Sequence, residues 1–161
     1  MNYAPGILEH LSKSRDFTEI LLAPGTAPVQ RTEDGLIYTD DKPLTVEDIR
    51  DTLGVLFGLA PGRDLGGEKA GTFSIGVPNR GRFRVRFLSQ RGSPAVTIQK
   101  VPQEIPALAE LLEDPQSVPS LESAFHTFRT GLLILTGPHS LSTNVLVYAL
   151  LRSLSEQAQR L

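Results

Sequence analysis

The chain has 161 residues, with 16 basic and 18 acidic side chains, and its formal charge of −2 gives no global pull toward nucleic acid. Apolar residues at 40% and charged ones at 21% exclude a disordered or fibrous chain and predict one globular domain, or one domain plus part of a second. The chain contains no cysteine, which excludes disulfides and zinc–thiolate sites and leads us to expect a reducing, cytoplasmic setting.

Residues 6–15 place Ile7, Leu8 and Leu11 at helical spacing and predict a short amphipathic helix. No basic stretch followed by an apolar run opens the chain, so no signal peptide is expected. Residues 18–22 predict a strand ended by Pro24-Gly25. Residues 28–31 and 36–39 flank Glu33-Asp34-Gly35 and predict a hairpin, because Asp-Gly reaches positive φ at little cost. Thr45, with Asp48 three residues on, predicts a capped helix whose stripe is Val46, Ile49, Leu53 and Leu56/Phe57. Residues 60–71 are rich in glycine and predict a mobile loop.

Three strands follow, over 72–77, 82–89 and 95–101, and together they predict an antiparallel meander. In the middle strand Phe83, Val85 and Phe87 alternate with Arg82, Arg84 and Arg86, so one face is predicted buried and the other cationic. Residues 80–91 hold five arginines and no acid, whereas residues 1–69 hold 12 acids against 7 bases. A basic stripe thus sits on an acidic body. Residues 105–112 and 117–130 predict helices, with Gly131 as a C-cap.

The last stretch, LLILTGPHSLSTNVLVYALL over 132–151, predicts a strand, a phosphate-loop-shaped turn and a helix. A P-loop of the form G-x-x-x-x-G-K-[ST] uses glycines to wrap phosphate, lysine to reach the outer phosphates and a hydroxyl to hold magnesium. Aligned from Gly137, this chain has Pro138, His139 and Ser140 in the turn, Ser142 for the second glycine, Thr143 for the lysine and Asn144 for the magnesium ligand. Strands bearing a Walker-B acid and a catalytic base are not expected in the residues up to 161. A helix N-terminus there could still hold an anion, or the turn is a vestige in which Ser142 or Thr143 caps the last helix.

With these pieces in order, the chain resembles the N-terminal, PAS-like domain and the start of the P-loop domain of the PilT/GspE family, the type IV pilus and type II secretion ATPases. The resemblance rests on PLTVEDIRDTL, on TFSIGVPNRGRFRVRFLSQRGSPAVTIQKVPQEIPAL and on RTGLLILTGP. It is weaker before residue 70 and strong from 72 to 138. Two departures stand out: Gly71-Thr72 where family members carry an acid, and Arg86 where they carry asparagine. By resemblance, Arg82, Arg84 and Arg91 occupy positions that reach nucleotide phosphates or a neighbouring subunit. The resemblance implies an α+β fold, namely a PAS-like antiparallel sheet with helices on one face, followed by a strand–helix remnant of a RecA-like domain. The division expected is 1–104 for the PAS-like domain, 105–130 for a helical connector and 131–161 for the remnant.

Losing the lysine and the magnesium ligand together removes most of the charge neutralisation that phosphoryl transfer needs, so no enzyme activity and no cofactor are expected. Arg80, Arg82, Arg84, Arg86 and Arg91 then become candidate partner or anion contacts, or simply a solvated face. Phe83 and Phe87 point to the opposite side, so the stripe lacks the exposed aromatics that stack nucleic-acid bases, and a protein partner is expected instead. His10, His126 and His139 have no spacing that predicts a metal site. Residues 145–151 are apolar nearly all round and too short to span a bilayer, so no membrane insertion is expected. That surface predicts association, as a homodimer or a hetero-oligomer. The function expected is a non-catalytic adaptor or regulator of a pilus or secretion motor. The alternatives are a residual nucleotide binder or a partial ATPase completed by another chain, and a small-molecule-sensing module.

Overall fold

The computed structural model describes residues 2–14, 18–32, 35–39, 42–60, 69–112, 114, 116–127, 130–136 and 140–158. Two compact units divide the chain, Met1–Gln103 and Glu104–Leu161.

In the first unit, helix α1 spans Ala4–Lys13 and begins two residues before the expected start, because Pro5 fits the first helical turn, where its missing N–H has no intrahelical partner to lose. Strands β1 (Glu19–Leu22), β2 (Val29–Thr32) and β3 (Gly35–Tyr38) follow, then helix α2 (Val46–Gly58). The cap of α2 forms as expected. The Thr45 hydroxyl accepts from the Asp48 N–H at 3.1 Å, and the Thr45 N–H donates back to the Asp48 carboxylate at 2.9 Å.

Strands β4 (Ala70–Val77), β5 (Gly81–Gln90) and β6 (Ser93–Val101) form the meander. The strand β4 starts two residues early, since Ala70 pairs with Leu88 and Gly71 with Phe87 on β5. The predicted loop thus ends sooner than 71, and its residues 61–68 lie outside the described residues. The strand β6 also starts early, at the close of a two-residue turn, and admits Pro94 because β1 pairs with β6 only over Val96–Gln99.

All pairings are antiparallel, in the order β3-β2-β1-β6-β5-β4. The period of two in β5 sends Phe83, Val85 and Phe87 inward. There they meet Ile20, Leu22, Phe73, Ile75, Val96 and Ile98 from the other strands. The apolar stripes of α1 (Ile7, Leu8, Leu11) and α2 (Ile49, Leu53, Leu56) cover this face. Phe57 packs on Phe73 and Phe87 with ring centroids 4.2 and 5.4 Å away. Thr52, fully buried, joins the helices: its hydroxyl donates to the Asp48 carbonyl at 2.7 Å and accepts the Tyr3 N–H at 3.1 Å. The α+β sheet with helices on one face is the expected one.

The second unit holds α3 (Leu108–Leu111), α4 (Ser117–Thr127) and α5 (Ser140–Ala158). The predicted helix over 105–112 shrinks to one turn, since Pro106 breaks its start. A small core joins Leu108, Ala149 and Leu150 with Leu111, Val118 and Leu146 at its margin. Arg152 fastens α5 by donating to the Ile105 carbonyl at 2.8 Å, and Ser153 meets Glu122 of α4. The strand expected over 132–135 does not form. A β-strand exists only through a hydrogen-bonded neighbour, and the second unit contains no strand among the described residues. Leu132, Leu133 and Ile134 are left exposed, Leu132 at 86%.

Candidate functional site

The site is the sheet face opposite α1 and α2. Register fixes its rows. Arg86 lies between Thr72 of β4 and Thr97 of β6, Arg84 between Ser74 and Gln99, and Arg82 between Gly76 and Val101. The Arg84 row continues through Gln99 to Glu19 of β1 and Arg31 of β2. Arg82 is exposed, and Arg84 and Arg86 are half-buried by their neighbours.

None of the six residues flanking the three arginines is acidic. Glu19 lies two strands from Arg84, about 9.6 Å by sheet geometry, and is already paired with Arg31 at 3.2 Å. Gln99, only 7% exposed, separates the two. Among the described residues, Arg82, Arg84 and Arg86 make no ion pair. Residues on one face repeat roughly every 6.8 Å along the strand, and two unit charges at that spacing repel by about 0.6 kcal/mol in water and more where solvent is thinned. An acidic surface or an anion laid on this face would relieve that repulsion.

The other two arginines leave the stripe. Arg80, in the turn between β4 and β5, reaches the Pro5 carbonyl at 3.4 Å. The Lys13 ammonium, bonded at 2.8 Å, and then the charge of Arg80 hold the Glu9 carboxylate below its ordinary pKa. Arg80 therefore belongs to the α1 side. Arg91 lies at the far end of β5, with Gly92, in a two-residue turn between Gln90 and Ser93. Its φ is +52° and that of Gly92 is +81°, the left-handed pair that a tight hairpin requires. Arg91 thus fills a left-handed position that asparagine or glycine takes more cheaply.

Beside Arg82 a shallow cleft of ≈ 630 Å³ opens, lined by Gly76, Val77, Pro78, Asn79, Gly81 and Gln103. Glycine suits position 81 because its φ is +102°, and a Cβ there would stand 3.0 Å from the Gln103 side-chain Nε2. A second groove, of ≈ 320 Å³, lies between α1 and strands β1 and β2, where His10 Nε2 and Gln30 Oε1 are 2.8 Å apart.

Of the phosphate-loop residues, Gly137, Pro138 and His139 lie outside the described residues. Ser140, Ser142, Thr143 and Asn144 fall in the first turns of α5, with Thr143 half-buried and Asn144 exposed. No helix among the described residues is long and apolar enough to cross a membrane. The neutral row of Thr72, Ser74, Thr97 and Gln99 escaped sequence reasoning. Alternation gives the face of each residue, but only the register shows what lies beside each arginine.

No protein-family model matches the chain, and no curated protein matches it in sequence. Among solved structures, the pilus retraction motor PilT with bound ADP is 26% identical with a TM-score of 0.60, covering 96% of this chain and 43% of PilT. The ATPase DotB of Legionella pneumophila is 17% identical, with a TM-score of 0.47, over 94% of this chain and 41% of its own. That of Yersinia pseudotuberculosis is 18% identical, with a TM-score of 0.46, over 74% and 34%. The chain thus spans less than half the length of each of these structures, and what it shares with PilT is the PilT/GspE-like region that its own motifs announce.

Proposed function

We propose that the chain is a non-catalytic adaptor or regulator of a type IV pilus or secretion motor ATPase, acting through protein–protein contacts. The carrying observation is the row Arg82, Arg84 and Arg86, held in register on the sheet face opposite α1 and α2 without an ion pair among the described residues. Its complement is an acidic protein surface. The likeness to the motor PilT supports the partner class. The resemblance implies a surface of the kind that such motors use between subunits, so a separate copy of it can compete for or occupy that contact.

Threonine and asparagine at positions 143 and 144 supply neither the charge of a P-loop lysine nor a magnesium-binding hydroxyl at its usual place. Binding to the purified motor of the same organism, together with phosphate release from Mg·ATP by this chain alone, tests both halves. The expected result is motor binding with no turnover. Failure to bind either the motor or itself would remove the adaptor role. Phosphate release above background would make the chain an ATPase, or part of one.

The groove beside α1 favours a second reading, a small-molecule-sensing module, since its ≈ 320 Å³ suits a small ligand and His10 and Gln30 supply polar contacts. A metabolite screen by thermal shift, in which His10→Ala cancels any stabilisation, decides for or against it.

A further inference from the structure

The groove beside α1 has a specific chemistry. Ile7, Ile20 and Pro28 give it a buried apolar lining, and none of the described residues around it is a lysine, arginine, aspartate or glutamate. Hydrogen bonds already made decide which polar groups are left for a ligand. Asn2 Oδ1 accepts the Ala4 N–H at 3.0 Å, so the Asn2 amide keeps its NH2. Gln30 Oε1 can only accept, so His10 Nε2 donates to it at 2.8 Å and leaves the Gln30 NH2 unspent. The Thr39 hydroxyl donates to the Pro28 carbonyl at 3.0 Å, which leaves its oxygen as an acceptor.

Gly6 adds an independent sign. It sits in the first turn of α1, where glycine costs more conformational entropy than alanine. Its φ is not left-handed, and a Cβ there would meet nothing within 4 Å, so neither backbone strain nor packing demands glycine. What its missing side chain leaves is room in the groove that it lines. The same turn leaves the Gly6 N–H without a partner among the described residues. The N–H groups of Tyr3, Ala4 and Ile7 go to Thr52, Asn2 and the Tyr3 carbonyl, and Pro5 has none.

We propose that this groove binds a small, uncharged cyclic amide. Its ring packs on Ile7, Ile20 and Pro28, its carbonyl oxygens accept from the Asn2 and Gln30 amides and the Gly6 N–H, and its own N–H donates to Thr39. Charge chooses the class. An ionised ligand would leave water and meet no opposite charge among the described lining residues, whereas an uncharged amide exchanges its bonds to water for equivalent ones. Size chooses the shape. A groove of ≈ 320 Å³ is small for a ligand site, and a closed ring has few rotations to lose on entering it. The inference rests on the sensing-module reading of the same groove and names its ligand; it is independent of the arginine face.

The test titrates the full chain, followed by NMR, with the cyclic dipeptide of glycine and proline and with its linear form, which has the same two residues but charged ends. The cyclic form is expected to shift the Gly6 amide and the Gln30 side-chain NH2 saturably and to bind about tenfold or more tightly than the linear one. Gly6→Ala separates a ligand role from a structural one. Alanine is the better helix former, so the variant should unfold at a higher denaturant concentration and yet bind the cyclic dipeptide about tenfold more weakly. Gln30→Leu, which keeps the strand and removes the donors, should weaken binding in the same way. Equal binding of the two dipeptides, or undiminished binding by Gly6→Ala, overturns the inference and leaves the groove a ligand site of another class. No saturable shift with the cyclic form also overturns it, and the sensing reading falls with it only if the metabolite screen is empty too.

Discussion

The two units spend their apolar residues differently. In Met1–Gln103 both helices and the inner sheet face close on one another, so Phe83, Val85 and Ile98 are fully buried. Among the described residues of Glu104–Leu161, Leu108, Ala149 and Leu150 form a small buried core, while Leu132, Ile134, Tyr148 and Leu151 remain exposed. Apolar sequence alone does not make a core. Closure requires a partner layer, and the first unit has one in its own chain.

Core truncation probes the contrast most strongly. Phe83→Ala should destabilise the first unit by about 3–5 kcal/mol, read as a lower denaturant midpoint. A loss under about 1 kcal/mol would mean that this interior is not tightly closed. The cap comes next. Thr45→Ala removes the hydroxyl that accepts the Asp48 N–H and should cost about 1 kcal/mol in the same measurement. On the other side of the comparison, Ile134→Ser should move stability by no more than about 0.5 kcal/mol, because the side chain is already 72% exposed. Any self-association seen by light scattering should fall with it, and a large loss of stability would show that this apolar stretch is already covered. The smallest effect belongs to the stripe. Arg84→Gln should leave stability unchanged or raise it by a few tenths of a kcal/mol, because it relieves repulsion and breaks no ion pair among the described residues.

Much of the first unit was legible in the sequence, because its signals are local. The alternation of Phe83, Val85 and Phe87 with three arginines fixes both faces of β5, and Thr45 with Asp48 fixes the start of α2. What escaped depends on residues distant in sequence. The direction of Arg80 depends on Pro5 and Glu9 of α1, and the neutral flanks of Arg84 depend on register. The expected strand at 132–135 failed for the same reason. Four apolar residues in a row announce a strand that is buried on both faces, but they cannot announce the neighbour that would pair with it.

The adaptor reading turns on the arginine face, so charge reversal there is its most direct test. Calorimetric titration of the full chain into the purified motor ATPase, beside the Arg82→Glu/Arg84→Glu variant, should show affinity falling by about tenfold or more, and wild-type binding weakening as salt rises. Unchanged affinity in the charge-reversed variant, with its fold intact, would contradict the account.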